Sequence, residues 1–179
     1  MDNKERFLQL LKSVKREGMN NLIQYLETSS FFKDPASAMY HGNHEGGLCE
    51  HSLAVYDELV KIIGKEDDTL KIVALLHDVC KIGTYRVEYR NVKNDLGIWE
   101  KVPYYKAVGD DFPYGHGEKS VFMLQQYIQL TIDEVMAIRW HMGAYEPKEM
   151  WNDLGKAQEL YPLCMYIHFA DVIASRTKA

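Results

Sequence analysis

The chain has 179 residues, which is the size of one domain built around a single hydrophobic core. Hydrophobic residues make up 46% of it and charged residues 26%, a composition that excludes disordered and fibrous proteins. The 21 Lys and Arg against 26 Asp and Glu give a formal charge of −5. This balance disfavours a protein that binds the backbone of long nucleic acid, although metal ions could still hold a short strand.

The first part of the chain predicts two packing helices and a loop. Apolar residues recur at helical spacing over 4–27, with Gly18 as a break between two stretches. Residues 29–47 are rich in small residues and turn formers. They predict a loop with one short helical turn.

Two further helices are predicted next. The first covers residues 48–63 and is ended by Gly64. The second begins after the cap region of Asp67 and Asp68 and runs toward Gly83. Both have apolar residues on one face, so both are expected to contribute to the core.

A β-hairpin is predicted over residues 84–107. The helical spacing of apolar residues ends here. Tyr, Val and Trp become frequent on both sides of residues 94–97, which read Asn-Asp-Leu-Gly. Such residues favour strands, and a short segment with Asn and Gly between them favours a turn.

The last third of the chain predicts three helices. The apolar residues that define the first of them are Val121, Leu124 and Ile128. Thr131 and Glu134 form a capping-box pattern at the start of the second, which is expected to end at Gly143. The third is expected over about 158–175, with its apolar residues on one side.

The three cysteines, Cys49, Cys80 and Cys164, are too few for a disulfide framework and form no CxxC pair. A reducing, cytoplasmic location is therefore expected. The first residues are charged and amphipathic, and no apolar run reaches the roughly 18 residues of a membrane span. We expect neither secretion nor a membrane partner.

Four possible ligands are predicted to face the interior on three helices: His51, His77, Asp78 and Asp171. His51 shares a helical face with apolar residues four and eight positions later, and His77 with those four and seven positions earlier. Asp171 continues the apolar face of the last helix. A buried unpaired carboxylate costs on the order of several kcal/mol, so a bound cation is the natural compensation.

Two more histidines occur in settings unlike core packing. His116 stands between glycines at a helix start, in PYGHGEKS, and His141 stands at a helix end, in RWHMG. Imidazole and carboxylate are ligands of first-row divalent metals. The six residues together suffice for two metals that share a bridging ligand.

The order His, His-Asp, His, His, Asp resembles the HD phosphohydrolase superfamily, which is named for the doublet. The matching segments are GGLCEHS around His51, LLHDVCKIG around His77 and Asp78, and HFADVIAS around Asp171. The sequence motif GGLxEHS together with LLHDxxK is most similar to the HD domain of certain bacterial 3′-to-5′ exoribonucleases. Those enzymes carry an additional OB-fold domain, which we do not expect in a chain of this length.

The resemblance implies an all-α fold. We expect a single HD-type helical bundle over 1–179, with the motifs within 46–175 and the N-terminal packing helices and loop over 1–45. The hairpin at about 84–107 is then an insertion into this bundle.

The resemblance also implies a centre of two divalent transition metals, Mn, Fe, Co or Ni. Its ligands would be His51, His77, Asp78 and Asp171 for one ion, and His116 and His141 for the other, with Asp78 shared. A hydroxide that bridges two cations is nucleophilic near pH 7. The expected function is a metal-dependent phosphomonoesterase or phosphodiesterase that acts on a nucleotide, a short oligonucleotide or another phosphorylated small molecule.

Substrate contacts are predicted for four residues: Lys81, Gly115, Gly117 and His44. The spacing HDxxK places the Lys81 ammonium beside Asp78 at the rim of the predicted site, where it meets a phosphate. Asp78 and Lys81 are the predicted catalytic residues. The alternative is a helix-terminal Lys that complements the dipole. The two glycines form an anion site with the first amides of their helix, or they only permit the turn. Cys80 is not expected to be a nucleophile.

Two other functions use the same residues. Some HD-fold relatives hold a mixed-valence diiron centre that activates O₂, and the ligand types alone do not separate an oxygenase from a hydrolase. A regulatory module could use the scaffold to bind a nucleotide without turnover. The sequence around the predicted ligands, GGLCEHS and HDVCK, favours hydrolysis.

Overall fold

The computed structural model describes residues 2–109 and 111–176 and shows a helical protein with one small hairpin. In chain order the helices are α1 (Asn3–Lys12), α2 (Met19–Thr28), α3 (Gly47–Ile63), α4 (Asp68–Leu76), α5 (His116–Gln125), α6 (Ile132–Trp140), α7 (Trp151–Leu160) and α8 (Leu163–Arg176). The strands are β1 (Tyr85–Lys93) and β2 (Trp99–Ala107). The predicted helical fold with a hairpin is confirmed. Within the described ranges, no helix combines the length and apolarity needed to cross a bilayer.

Helix boundaries follow the predicted caps. Asp67 accepts a hydrogen bond from the backbone N–H of Leu70 at the start of α4. At the start of α6, Thr131 accepts from the N–H of Glu134, and the Glu134 carboxylate accepts from the N–H of Thr131. Gly64 ends α3 in the left-handed conformation, with φ of 78°.

Two helices end earlier than predicted. α4 ends at Leu76 and is followed by a 3₁₀ turn, Val79–Lys81, instead of continuing toward Gly83. α6 ends at Trp140, three residues before Gly143. In both cases the next residue is a histidine, and its ring forms a hydrogen bond with a backbone carbonyl in the last turn of the helix. If the helix continued, a backbone N–H group would need that carbonyl as its acceptor.

The helix predicted over about 158–175 is found as α8, but it begins at Leu163, and the helix before it was not predicted. The chain forms α7, which starts well before this range, and then a separate helix, α8. Pro162 lies between them; it has no N–H to donate, and it disfavours helical conformation at Tyr161, which has φ of −131° and ψ of 79°.

The core lies where α3 packs against α4 and α8, and α6 packs against α5 and α8. α1 covers one side of this group through contacts with α2, α3 and α4. The largest fully buried side chains are Phe7, Leu11, Leu22, Leu26, Phe31, Leu48, Leu59, Ile72, Leu75, Leu76, Leu124 and Ile138. Helices from both ends of the described chain therefore share one apolar core.

The hairpin projects from the bundle directly after the 3₁₀ turn. β1 and β2 pair antiparallel from Tyr85 opposite Ala107 to Lys93 opposite Trp99. Gly97 closes the predicted turn with φ of 78°, and its N–H donates to the carbonyl of Asn94. Most strand residues are exposed, so the hairpin adds little to the core.

Candidate metal centre

Six side chains from five helices meet at one point of the bundle. They are His51 on α3, His77 and Asp78 directly after α4, His116 at the start of α5, His141 directly after α6, and Asp171 on α8. The structure thus brings together all six residues that the sequence singled out as ligands. Four of them, His51, His77, Asp78 and His141, are buried.

Asp78 lies at the centre of this cluster, and its two carboxylate oxygens face different histidines. Its Oδ2 is 3.8 Å from Nε2 of His51 and 3.4 Å from Nε2 of His77. Its Oδ1 is 2.8 Å from Nε2 of His116 and 3.6 Å from Nε2 of His141. A carboxylate with ligand atoms on both sides is suited to bridge two cations.

The backbone decides which nitrogen of His77 and His141 faces the cluster. Nδ1 of His77 is 2.8 Å from the carbonyl oxygen of Ala74, and Nδ1 of His141 is 2.7 Å from that of Ile138. A carbonyl oxygen only accepts, so both Nδ1 atoms carry the proton. Both Nε2 atoms are buried and have no hydrogen-bond partner among the described residues, so in the neutral rings their lone pairs are free for a metal. Burial would lower the pKa of His77, but Asp78 raises it, so a metal at this ring would take the place of a proton.

His51 and Asp171 form the opposite side of the cluster. Nε2 of His51 lies 3.0 Å from Oδ1 of Asp171, without the alignment of a hydrogen bond. Burial would raise the pKa of Asp171, but His51 and His77 lower it. The carboxylate is therefore ionised near neutral pH, as a metal ligand must be.

The charges of the cluster are organised around the carboxylate of Asp78. Burial would raise the pKa of Asp78, but Lys81 and His77 lower it well below its usual value. Burial would lower the pKa of His116, but hydrogen bonds to Asp78 and Cys80 raise it to about 10. Burial lowers the pKa of His141, which favours its neutral, ligating form. Without a metal, the charge of Asp78 is balanced by the protonated side chains of Lys81 and His116, and a cation bound to His116 would displace its proton.

The family comparison agrees with this geometry. The family model described as HD domain matches residues 48–176, well over half of the chain. The chain belongs to the HD domain family. Members of this family are generally metal-dependent phosphohydrolases. Neither the curated proteins nor the solved structures give a match.

The donor groups of this HD domain fit divalent metals. Ligand atoms lie within 4.8 Å of one another in three groups: His51 with His77 and Asp78, His77 with His141 and Asp171, and Asp78 with Cys80 and His116. Buried imidazole nitrogens without hydrogen bonds are costly unless something binds them. A metal bound to these nitrogens would remove that cost.

Lys81 reaches the same point from the 3₁₀ turn. Its Nζ lies 2.7 Å from Oδ2 of Asp78, and its side chain is mostly buried. Burial would lower the pKa of Lys81, but Asp78 raises it, so the ammonium stays charged. The predicted position beside Asp78 is therefore observed, although Lys81 follows His77 through a 3₁₀ turn and not along an α-helix.

The other three predicted substrate residues, Gly115, Gly117 and His44, do not line the cavity that opens beside the cluster. A Cβ at Gly117 would collide with the backbone of Arg139 on α6, and one at Gly115 with the carboxylate of Glu118. Close packing and an adjacent carboxylate fit the simpler interpretation, in which these glycines permit the turn and the approach of α5. His44 is exposed and pairs with Glu50, with Nε2 to Oε2 at 3.0 Å. A substrate contact at these positions stays a prediction.

A cavity of about 700 Å³ opens beside the cluster and includes residues that the sequence did not single out. Its lining comprises Tyr40, His41, Asp78, Lys81, His116, His141, Met142, Tyr145, Asp171, Val172, Ser175 and Arg176. Burial, together with His51 and Lys81, lowers the pKa of His41 to about 4, so this ring is neutral. Tyr40 and Tyr145 are exposed at the rim. Tyr40 lies in an irregular segment and Tyr145 in a short 3₁₀ turn, Gly143–Tyr145, so no periodic pattern shows which way either side chain faces.

His168 supports the cluster from behind. Its Nδ1 lies 2.9 Å from the carbonyl oxygen of His141, and the ring packs against Gly143. The hydrogen bond holds the segment that follows α6 against α8.

Proposed function

We propose that this HD domain hydrolyses a phosphoester bond of a nucleotide or a short oligonucleotide and depends on two divalent transition metals. The proposal rests on the buried Nε2 atoms of His77 and His141, which have no hydrogen-bond partner within the described residues and are both directed at the central carboxylate of Asp78. A catalytic metal site requires such prepared donors.

The ligand types suit Mn, Fe, Co or Ni. One ion would be held by His51, His77, Asp78 and Asp171, and the other by Asp78, His116 and His141. When bound, these ions supply Lewis acidity toward phosphate oxygens and a nucleophilic water near neutral pH.

The protein's own side chains prepare the substrate site. Lys81 lies at the mouth of the cluster, where its ammonium can move from Asp78 to an oxygen of the substrate phosphate. The neutral ring of His41 stands beside His51, with the ring centres 4.6 Å apart, and covers that side of the cluster. The bound phosphate would thus face the charged ammonium of Lys81 on one side and the neutral ring of His41 on the other.

The cavity supports a substrate of nucleotide size. Its volume of about 700 Å³ falls in the range typical of small-molecule sites. Tyr40 and Tyr145 at the rim offer aromatic faces against which a base can stack. The net charge of −5 supports small nucleotides over long nucleic acid, and we propose no membrane partner.

The similarity of GGLCEHS and LLHDVCK to the exoribonuclease HD domains supports phosphodiesters as the first substrates to test. A nitrophenyl ester of a nucleotide is the simplest such probe. Nucleoside mono-, di- and triphosphates, cyclic nucleotides and short RNA form the wider screen.

The His77→Ala/Asp78→Ala variant tests the function. We expect loss of bound metal and a fall in hydrolysis of at least about 100-fold, because the bridging ligand and a prepared donor are both removed. Metal analysis and a phosphodiesterase assay measure the two effects. Glu159→Ala, which removes an exposed carboxylate on α7, is the matched control and should keep both properties.

Undiminished hydrolysis by the double variant would show that the reaction occurs elsewhere. A wild-type protein that consumes O₂ stoichiometrically when loaded with iron, and that hydrolyses none of the phosphoesters in the screen, would instead support the oxygenase. Hydrolysis supported by Mn without iron contradicts the oxygenase.

A further inference from the structure

Cys80 lies among the candidate metal ligands, although the sequence indicates only that it is not a nucleophile. Its Sγ is 3.4 Å from Nδ1 and 3.8 Å from Nε2 of His116. Nε2 of His116 is in turn 2.8 Å from Oδ1 of Asp78. Sulfur, nitrogen and oxygen donors from three residues therefore surround one small volume.

The surroundings of Cys80 differ from those of the other two cysteines. Cys49 and Cys164 are packed among apolar side chains, and burial raises the pKa of their thiols to about 12 and about 11. Within the described part of the chain, Cys80 belongs to neither apolar cluster. Hydrophobic packing alone therefore does not account for its place in the fold.

A hydrogen bond holds Cys80 toward His116. The backbone N–H of Cys80 donates to Oγ of Ser120, at 3.2 Å, and Ser120 is fully buried one turn after His116 on α5. The 3₁₀ turn that carries Cys80 packs against α5 as a whole. The contact between the 3₁₀ turn and α5 thus positions both the Cys80 sulfur and the His116 imidazole.

A second observation shows that this side of Asp78 is prepared for an ion. Nε2 of His141 is buried, has no hydrogen-bond partner among the described residues, and faces Oδ1 of Asp78 at 3.6 Å. Metal–nitrogen and metal–sulfur bonds of about 2.0 and 2.3 Å place two ligands of one tetrahedral ion roughly 3.5 Å apart. The separation of 3.8 Å between Sγ and Nε2 of His116 exceeds that distance by a few tenths of an ångström.

We propose that the Cys80 thiolate is a ligand of the metal that Asp78 and His116 hold. This inference rests on the proposed metal centre and adds a sulfur donor to it. Coordination replaces the S–H bond with a sulfur–metal bond, and the thiol proton passes to the buffer. A thiolate favours Zn²⁺, Co²⁺ or Fe²⁺ at this position over Mn²⁺ or Mg²⁺.

Cobalt substitution tests the ligand without an activity assay. Wild-type protein loaded with Co²⁺ should show a near-ultraviolet thiolate-to-cobalt charge-transfer band. Cys80→Ser should lose the band while it still binds cobalt through the remaining ligands. Cys164→Ala changes a cysteine that is equally buried and free, and it should keep the band.

A variant with Cys80 as its only cysteine covers the case in which Cys80→Ser does not fold. Cys49→Ala/Cys164→Ala should keep the full band per bound cobalt. Cobalt bound to wild-type protein without the band would overturn the proposal, because the sulfur would then only contact the ring of His116. Wild-type protein that binds no cobalt would contradict the metal centre itself, a result that metal analysis distinguishes from the loss of one ligand.

Discussion

At the scale of single residues, the proton on one ring nitrogen decides what the other nitrogen can bind. His77 and His141 occupy equivalent places, each one residue after a helix and each bonded to a carbonyl three residues earlier. The last carbonyl groups of a helix have no N–H partner within the helix, so they can accept a hydrogen bond from a histidine ring. At the ends of α4 and α6 this bond orients the Nε2 atoms of His77 and His141 as ligands. His116 is different, because its Nδ1 faces the sulfur of Cys80 and not the backbone.

Lys81→Met separates substrate binding from metal binding. We expect hydrolysis to fall by at least about 10-fold, because a positive group facing the phosphate is lost. Metal affinity should stay equal or rise, because the ammonium no longer competes for Oδ2 of Asp78. Steady-state kinetics and a cobalt titration measure the two effects.

Lys156→Met, which changes an exposed lysine on α7, is the control for Lys81→Met and should leave both quantities unchanged. If Lys81→Met loses bound metal in parallel with activity, Lys81 positions the ligands and does not act on the substrate.

At the scale of elements, two glycines in helices have opposite surroundings. Gly117 on α5 touches the backbone of α6, whereas a Cβ at Gly155 on α7 would have no neighbour within 4 Å. The first glycine is needed for the contact that places His116 beside His141. The second has no such steric role, and a glycine inside a helix costs stability.

Alanine at these two positions should have effects of opposite sign. Gly155→Ala should stabilise the protein by about 0.5–1 kcal/mol through helix propensity. Gly117→Ala should destabilise it by about 1–3 kcal/mol, because the new methyl group pushes α5 from α6. Urea denaturation measures both. Equal effects would mean that the contact between α5 and α6 tolerates a side chain at Gly117.

The cap of α4 should stabilise the protein in a pH-dependent way. Partial burial would raise the pKa of Asp67, but hydrogen bonds from Lys65 and from the N–H of Leu70 lower it. A folded-state pKa below the unfolded value of about 3.9 stabilises the protein above that pH, and the contribution is lost as the pH falls through the folded value.

Asp67→Ala should therefore lower the free energy of unfolding by about 1 kcal/mol at pH 7. The difference from wild type should shrink below about pH 4, as Asp67 becomes protonated in the wild type. Urea denaturation from pH 7 downward measures it. A difference that stays constant over this range would contradict the ionised cap.

At the scale of the whole molecule, a partly buried ion pair joins the N-terminal segment to the HD domain. Arg16, between α1 and α2, bonds to both carboxylate oxygens of Glu134 at 2.8 and 2.9 Å. Glu134 is fully buried, caps α6 and accepts from Thr69 of α4. The segment of α1 and α2 is thereby tied to α4 and α6.

Arg16→Met should destabilise the protein by about 3–5 kcal/mol, because Glu134 would stay buried without its cation. Arg6→Met is the matched control: its pair with Asp57 is 40% exposed on both sides, so we expect a loss of at most about 1 kcal/mol. Denaturant unfolding measures both, and the predicted single domain should unfold in one transition. A first transition confined to α1 and α2 would contradict the single domain.

The helices and the hairpin were largely predictable because their signals are local. Apolar spacing located α3, the pair Thr131 and Glu134 located the start of α6, and residues 94–97 located the turn between β1 and β2. The ends of α4 and α6 were misplaced because side chains compete for carbonyls there, and the break at Pro162 was overlooked.

Local pattern and residue chemistry were enough to identify the helical class, the doublet and six possible ligands, because helical periodicity and donor type are properties of short segments. Contacts between distant segments decided the rest: which oxygen of Asp78 faces which histidine, where Lys81 reaches, and that Cys80 meets a ring 36 residues later in the chain. Such distances follow from how α4, α5, α6 and α8 pack on one core, and packing depends on all of their side chains together.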